Sequence, residues 1–429
     1  MNTPYSHIRV NRKRVIATEL KLLAVFGYLM AFPVFLLGGI NLSLYLFPVM
    51  ILNFSAKVKT FKIHSKPQLF ACFFGLGAII SVLTIDAQND DSLSRALAVL
   101  PNYIYWSALV IFILNIWHFV NLTYTSKFIF LGVLTSVLYY QVQDFINLPV
   151  LNNFAPNSYA FLLVCYTAPS VAYIAHRYGK NQALLFLAVV LLSLLLIGRR
   201  AGFVLVFGSS LGALYLGYIS FGKIIRAGFI GLVLFASMQL SIVEGYILQS
   251  SPRMHELFYE NDNLAATDQS ILVRKLQVEK GLDLFNKNLF TGIGLNNFSN
   301  YEGVFKGDFE GSKIVLRKKQ WNNKSAHNSY IALMAEGGLF LFVPFVLIIL
   351  YNLYGFIISA NRRTPLETAF YWSFFGMCTH LYFITGIVNV YPWFLIAVVS
   401  AISVKYARFK KRHPGAPLRR IKESTPIHA

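Results

Sequence analysis

Long blocks of apolar residues recur along this chain, at a length that leaves few folds open to it. They lie at about 22–38, 40–54, 68–85, 97–119, 128–141, 158–175, 182–198, 201–219, 224–243, 331–358, 368–388 and 392–404. Roughly twenty apolar residues in a helix cover about 30 Å of hydrocarbon, and inside hydrocarbon every backbone amide must find its partner within the protein. The blocks therefore read as about twelve spanning helices. Composition agrees: 56% of residues are hydrophobic and only 13% charged, where a soluble domain carries roughly a quarter charged. Blocks 40–54, 128–141 and 392–404 are short, so tilt or flanking residues must make up their length. The first pair is nearly continuous, and only Gly38-Gly39-Ile40-Asn41 reads as a hairpin turn between them.

The net charge of +20 could point to nucleic acid, but its placement gives another cause. Arg9, Arg12, Lys13 and Arg14 precede the first block, Lys57, Lys59, Lys62 and Lys66 follow the second, and the tail beyond Lys405 is basic. With the N-terminus cytoplasmic, all of these fall inside, as the positive-inside rule requires. An even number of spans places both termini in the cytoplasm. The basic excess is thus a topology signal, and nucleic acid is excluded as a partner in favour of the lipid bilayer. The first block has no cleavage pattern and reads as an uncleaved anchor. Cys72, Cys165 and Cys378 all fall inside apolar blocks, so neither a disulfide framework nor a cysteine metal site is expected. No span shows histidines and carboxylates at metal-ligand spacing.

The chain divides into an N-terminal bundle of about nine helices at 1–243, a polar loop at 244–326, C-terminal spans at 327–404 and a basic tail at 405–429. The loop lies on the outer side, and loops of such length are functional or disordered. Within it, Ser270–Phe290 mixes Leu272, Leu276, Leu282, Phe285 and Leu289 with charged residues, the pattern of an amphipathic helix. Gly292-Ile293-Gly294-Leu295-Asn296-Asn297-Phe298 follows, where two glycines allow positive φ or close backbone approach.

One short outer connection breaks the charge rule. Arg199 and Arg200 are squeezed between two spans, where a polyanion at the membrane surface would favour them through bidentate hydrogen bonds to phosphate oxygens. Snorkelling to lipid phosphates is the alternative. The second feature is Ser325-Ala326-His327-Asn328-Ser329-Tyr330 at the end of the loop. With Ser325 as N-cap, His327 sits in the first turn of a helix, whose N-terminus disfavours an imidazolium and leaves the ring able to take a proton from a hydroxyl. Cations and a base on one face suit glycosyl transfer from a lipid diphosphate. The cluster Arg317, Lys318, Lys319 and Lys324 could also meet phosphate or be a solvated charge run. Tyr301 and Trp321 could stack on sugars or anchor the loop at the interface, while Glu336 and His380 read as structural.

The loop element Thr291–Phe298, then His327-Asn328-Ser329-Tyr330, then Glu336-Gly337-Gly338 leading into a span, together with Arg200-Ala201-Gly202 opening an earlier one, resembles the O-antigen ligase and polymerase superfamily over roughly residues 190–355. The resemblance implies an all-α integral membrane protein of the bacterial inner membrane, multi-pass, with the large loop periplasmic and the active site facing the periplasm. It also implies an enzyme that moves undecaprenyl-diphosphate-linked glycan without cofactor or metal. On that resemblance His327 and Arg200 are catalytic and Arg274 binds the diphosphate, with Arg199 a contender beside Arg200; Asn328 and Tyr330 of the motif, and Arg317 of the loop's own cluster, are further substrate-binding candidates. The acceptor is another glycan, in a polymerase, or the lipid A core, in a ligase, with a chain-length regulator as a further partner. The ligase form of the motif spaces its glycines three apart after the histidine element; here Leu341 stands three after Gly338, which favours the polymerase. A lipid-linked saccharide transporter or flippase is the alternative of another class, although the chain shows neither inverted repeats nor clear midplane charges.

Overall fold

The computed structural model describes residues 21–32, 35–36, 40–55, 63–85, 90–117, 120–142, 155–197, 199–217, 269–301, 325–387 and 389–412. In chain order the helices are α1 (Lys21–Ala31), α2 (Leu42–Ser55), α3 (Lys66–Leu83), α4 (Asp90–Ile116), α5 (Leu122–Val142), α6 (Pro156–Arg177), α7 (Lys180–Leu196), α8 (Arg200–Gly217), α9 (Gln269–Lys287), α10 (Ser329–Ile358), α11 (Pro365–His380) and α12 (Val390–Arg412). Six of them, α3, α4, α5, α6, α10 and α12, are long and apolar enough to cross a bilayer. The block expected at 224–243, the basic N-terminus and Arg317 lie outside the described residues.

Several boundaries move. Blocks 128–141 and 392–404 looked short because polar ends hid their length; the helices run 21 and 23 residues. Block 368–388 moves the other way. Its helix stops at His380 and an irregular segment follows through Ile387. The hairpin expected at Gly38–Asn41 is closed by an antiparallel ladder of β1 (Phe35–Leu36) and β2 (Ile40–Asn41), pairing Phe35 with Asn41 and Leu36 with Ile40. This pair of two-residue strands is the departure from an all-helical chain among the described residues. At the end of α1 the Ala31 carbonyl, which has no partner within its own helix, accepts from the Ser136 hydroxyl of α5 at 2.6 Å.

The helix at the centre is α6, buried over almost all its length and flanked by α5, α7, α8, α11 and α12. A helix apolar all round must be enclosed, and its neighbours enclose it. The second half is organised by α10, which lies along α3, α9 and α12. Their seam is aromatic: Trp393 is fully buried, stacks parallel to Trp106 at 6.4 Å and meets Phe74 at 4.8 Å.

Polar bonds fasten both ends of this bundle. At one end the buried Glu367 accepts from Lys405 Nζ at 2.8 Å, from Tyr406 Oη at 2.7 Å and from the Thr364 amide at 2.8 Å, locking α11 to α12. Arg177, Lys180, Arg362, Arg363 and Lys410 to Arg412 gather at this end. Basic helix ends collected on one side are what the positive-inside rule associates with the cytoplasmic face. The opposite end receives the starts of α4, α6, α8, α10 and α12.

Candidate active site

At that opposite end, α10 is broken. Gly338 has φ 57° and ψ −157°, a conformation essentially confined to glycine, and it divides α10 into two helical pieces. A break of this kind strips backbone groups of their partners, which inside a bilayer is tolerated only where protein supplies replacements. The loop after α9 supplies them. Ile293 N donates to Ala335 O at 2.9 Å, Gly294 N to Glu336 O at 3.0 Å, Leu339 N to Leu289 O at 2.9 Å and Phe340 N to Phe290 O at 3.1 Å. Ser81 of α3 adds its hydroxyl to the Glu336 carbonyl at 2.6 Å. The two glycine motifs of the sequence, 292–298 and 336–338, are the two halves of one clamp.

The glycines are required by contact as well as by conformation. Gly292 and Gly294 have φ of 70° and 93°. A Cβ on Gly292 would strike the Glu336 carbonyl, and one on Gly338 would strike the Phe290 carbonyl and come within 2.7 Å of Gly292 N. The Glu336 carboxylate turns back into the loop, where Phe298 N donates to its Oε1 at 3.2 Å and the Asn296 amide also bonds it. Glu336 is therefore a fastening of the clamp. Glu336→Ala orphans the Phe298 amide and is expected to lower stability in detergent by about 1–3 kcal/mol. Glu336→Gln keeps an acceptor oxygen and is expected to lose less than half of that, as thermal unfolding followed by intrinsic fluorescence would read.

On top of the clamp lies α9. Its helix matches the amphipathic expectation, but the buried face differs: Leu276, Gln277, Lys280 and Leu284 are covered, while Leu282 and Leu289 are exposed. Lys280 is fully buried with its ammonium 4.7 Å from the centre of the Phe298 ring, so a charged residue sits where periodicity placed the polar face. Gly281 lets α9 approach α10 at Ile331. Leu284, Ile293, Phe298, Ala326, Ile331, Ala332 and Ala335 form a small apolar cluster beneath the loop.

His327 stands just before α10. The N-cap is Asn328, whose Oδ1 accepts from the Tyr330 amide at 3.0 Å and the Ile331 amide at 3.2 Å. This corrects the expectation that Ser325 caps the helix; Ser325 is exposed and outside the cap. His327 is half-buried, one residue before the cap rather than in the first turn, with φ 48°. Few residues other than glycine and asparagine adopt that region. Tyr330 donates its hydroxyl to the Cys378 carbonyl of α11 at 2.8 Å. Asn328 and Tyr330, both expected to bind substrate, thus spend their side-chain oxygens on holding the start of α10.

The other expected residues converge on the same end. The helix α8 begins at Arg200; Arg199 N donates to Leu194 O at 3.3 Å, and the Arg199 carbonyl accepts from Phe203 N at 3.0 Å. Gly202 rests against Ala160 at the start of α6. The next residue, Phe161, stacks on His380 of α11 at 5.3 Å. Arg274, exposed on α9, lies within electrostatic range of His380. From His380 the chain passes to Leu381, whose carbonyl accepts from Ser329 N at 2.8 Å, two residues beyond His327. The structure thereby links the start of α8, Arg274 and His327 through the shared neighbours Phe161, His380 and Ser329. The part played by His380 in this junction was missed in the sequence, because a histidine in an apolar block carries no sign of what it faces.

These features define a multi-pass helical membrane protein with a broken span at one end, where His327, the start of α8 and Arg274 share neighbours. Residues 184–346 match the family model described as O-Antigen ligase. The match gives that segment a likeness to the O-antigen ligase and polymerase superfamily, whose members are glycosyltransferase-like enzymes. The matched segment runs from α7 to the middle of α10 and contains Arg199, Arg200, Arg274, the clamp and His327. A comparison with curated proteins gives no match.

Proposed function

We propose that this protein polymerises undecaprenyl-diphosphate-linked oligosaccharide repeat units of a surface polysaccharide at the periplasmic face of a bacterial inner membrane. The observation that carries the reading is the convergence of the start of α8, Arg274 and His327 on the end of the bundle opposite its basic helix termini. In this scheme His327 takes the proton from an acceptor hydroxyl. The hydroxyl oxygen attacks the anomeric carbon of the donor from the face opposite its diphosphate, and the new glycosidic bond forms as the carbon–oxygen bond to phosphate breaks. The electron pair of that bond leaves on the diphosphate, and the anomeric configuration inverts. Arg200 and Arg274 hold the departing diphosphate as its charge grows, with Arg199 and Arg317 supporting it. No metal or nucleotide takes part in the step. Asn328 and Tyr330 act by placing His327.

Leu341 supports the polymerase over the ligase. It stands where the ligase spacing has glycine, and it is fully buried in the core against Gly337. Transfer to a lipid A core is the second reading, and a chain-length regulator is the partner a polymerase would answer to. Glycan display in a strain deleted for this gene tests both. Collapse of long chains to single repeat units establishes the polymerase; loss of all glycan from the lipid core, with accumulation of lipid-linked polymer, establishes the ligase. Unchanged display overturns both.

A further inference from the structure

The irregular segment after α11 is unlike the other connections described. Tyr382 N donates to Thr379 O at 3.1 Å and Phe383 N to His380 O at 2.8 Å, so the chain leaves α11 in tight turns. Three bonds tie it to one residue of the histidine motif. Ser329 N reaches Leu381 O at 2.8 Å, Ser329 Oγ reaches Ile384 O at 2.7 Å, and Gly386 N reaches Ser329 Oγ at 2.9 Å. The far end is pinned by Trp393, whose Nε1 donates to Ile387 O at 2.8 Å. A loop held so firmly, two residues from His327, has its surface fixed relative to that side chain.

The more exposed of its two aromatic rings is that of Tyr382. Tyr382 is 58% exposed while Leu381 beside it is fully buried. Its ring is braced edge-to-face by Phe383 at 5.3 Å and 87°, which sets its plane. Within the same few residues, His380 Nδ1 and Thr385 Oγ1 are buried without a hydrogen-bond partner. Native proteins leave few polar atoms in that condition, and each calls for an explanation. A rigid exposed ring beside unsatisfied polar atoms is the chemistry that meets a sugar: an apolar ring face for stacking and hydroxyls for the polar wall.

We infer that His380–Thr385 is the acceptor subsite, with Tyr382 as the platform on which the acceptor sugar stacks so that its hydroxyl faces His327. The inference rests on the glycosyl-transfer reading above and adds to it the place of the acceptor.

The test uses the full chain in lipid nanodiscs. The donor is lipid-linked saccharide extracted from membranes of a strain deleted for this gene, and the acceptor is the same saccharide released from its lipid by mild acid and tagged. For Tyr382→Ala the acceptor KM is expected to rise roughly five- to tenfold, the range that loss of one aromatic stacking contact predicts. The donor KM is expected to stay unchanged, with kcat at saturating acceptor within about twofold. Tyr382→Phe, which keeps the ring, should match the wild type, and Tyr382→Leu, which keeps apolar bulk but no ring, should follow Tyr382→Ala. An acceptor KM that does not move in Tyr382→Ala overturns the subsite, as does a Tyr382→Leu variant equal to the wild type. The ring then serves as an interfacial anchor. Failure of the underlying reading looks different: the wild type itself transfers no sugar, or His327→Asn transfers it at the wild-type rate.

Discussion

Cells that carry His327→Asn in place of the wild-type chain are expected to display no long glycan, while the protein accumulates in the membrane at its normal level. Loss of a general base lowers a rate by about 10²- to 10⁴-fold, enough to remove polymer from a growing culture. Asparagine is the informative replacement because of the backbone. His327 has φ 48°, a region where asparagine is among the best tolerated of the side-chain-bearing residues, so the turn into Asn328 should survive while the imidazole is lost. His327→Ala removes the same group but leaves a residue with less tolerance for that conformation, and its loss of activity would mix chemistry with folding. Glycan profiles on gels, set beside immunoblots of membrane fractions, read the two effects separately. Normal long chains in His327→Asn would remove the histidine from the mechanism and raise the transporter reading.

Gly338→Ala is expected to have the largest effect on the fold itself. The backbone there costs a residue with a Cβ about 1–3 kcal/mol in conformation alone. The Cβ would in addition strike the Phe290 carbonyl, which is one of the acceptors that repair the broken helix. If the loop moves away to make room, the freed amides and carbonyls of α10 lose partners, at about 1–3 kcal/mol for each buried group. These costs approach the whole stability of an ordinary domain, about 5–15 kcal/mol. Little monodisperse protein should be recovered in detergent, as size-exclusion chromatography would show. Gly208→Ala on α8 is the control. A Cβ there meets nothing within 4 Å, and in a helix alanine is favoured over glycine by about 1 kcal/mol, so its elution and thermal midpoint should equal or exceed those of the wild type. Recovery of Gly338→Ala at the control level would show that the clamp is not what holds the break in α10.

Much of this was legible in the residues taken one after another. Hydropathy marks α3, α4, α5, α6, α10 and α12 because the need to satisfy backbone groups in hydrocarbon makes a run of apolar residues equivalent to a helix. The hairpin read at Gly38–Asn41 has its flanks paired in the ladder between Phe35–Leu36 and Ile40–Asn41. The glycines of the 292–298 element announce positive φ or close approach, and Gly292 and Gly294 have positive φ. The helix boundaries were less legible. Lys405 to Arg412 belong to α12 although their charge removes them from any apolar window, and the stretch after His380 is apolar yet leaves the helix.

What the sequence determined by itself is the class of molecule and the motifs, because each depends on composition or spacing along one segment. Partnership across the fold was decided only by the tertiary structure. Nothing local says that Gly292 exists to receive Glu336 and Gly338, that Lys280 on the polar side of an amphipathic pattern is buried over Phe298, or that Asn328 rather than Ser325 caps α10. Nor does anything local say that Tyr382 is anchored two residues from His327, although 55 residues of chain separate Ser329 from its acceptor at Ile384. The reason is physical. A broken helix has unsatisfied amides whatever its sequence, and which segment satisfies them depends on which one the packing of α3, α9, α10 and α11 brings within hydrogen-bonding distance.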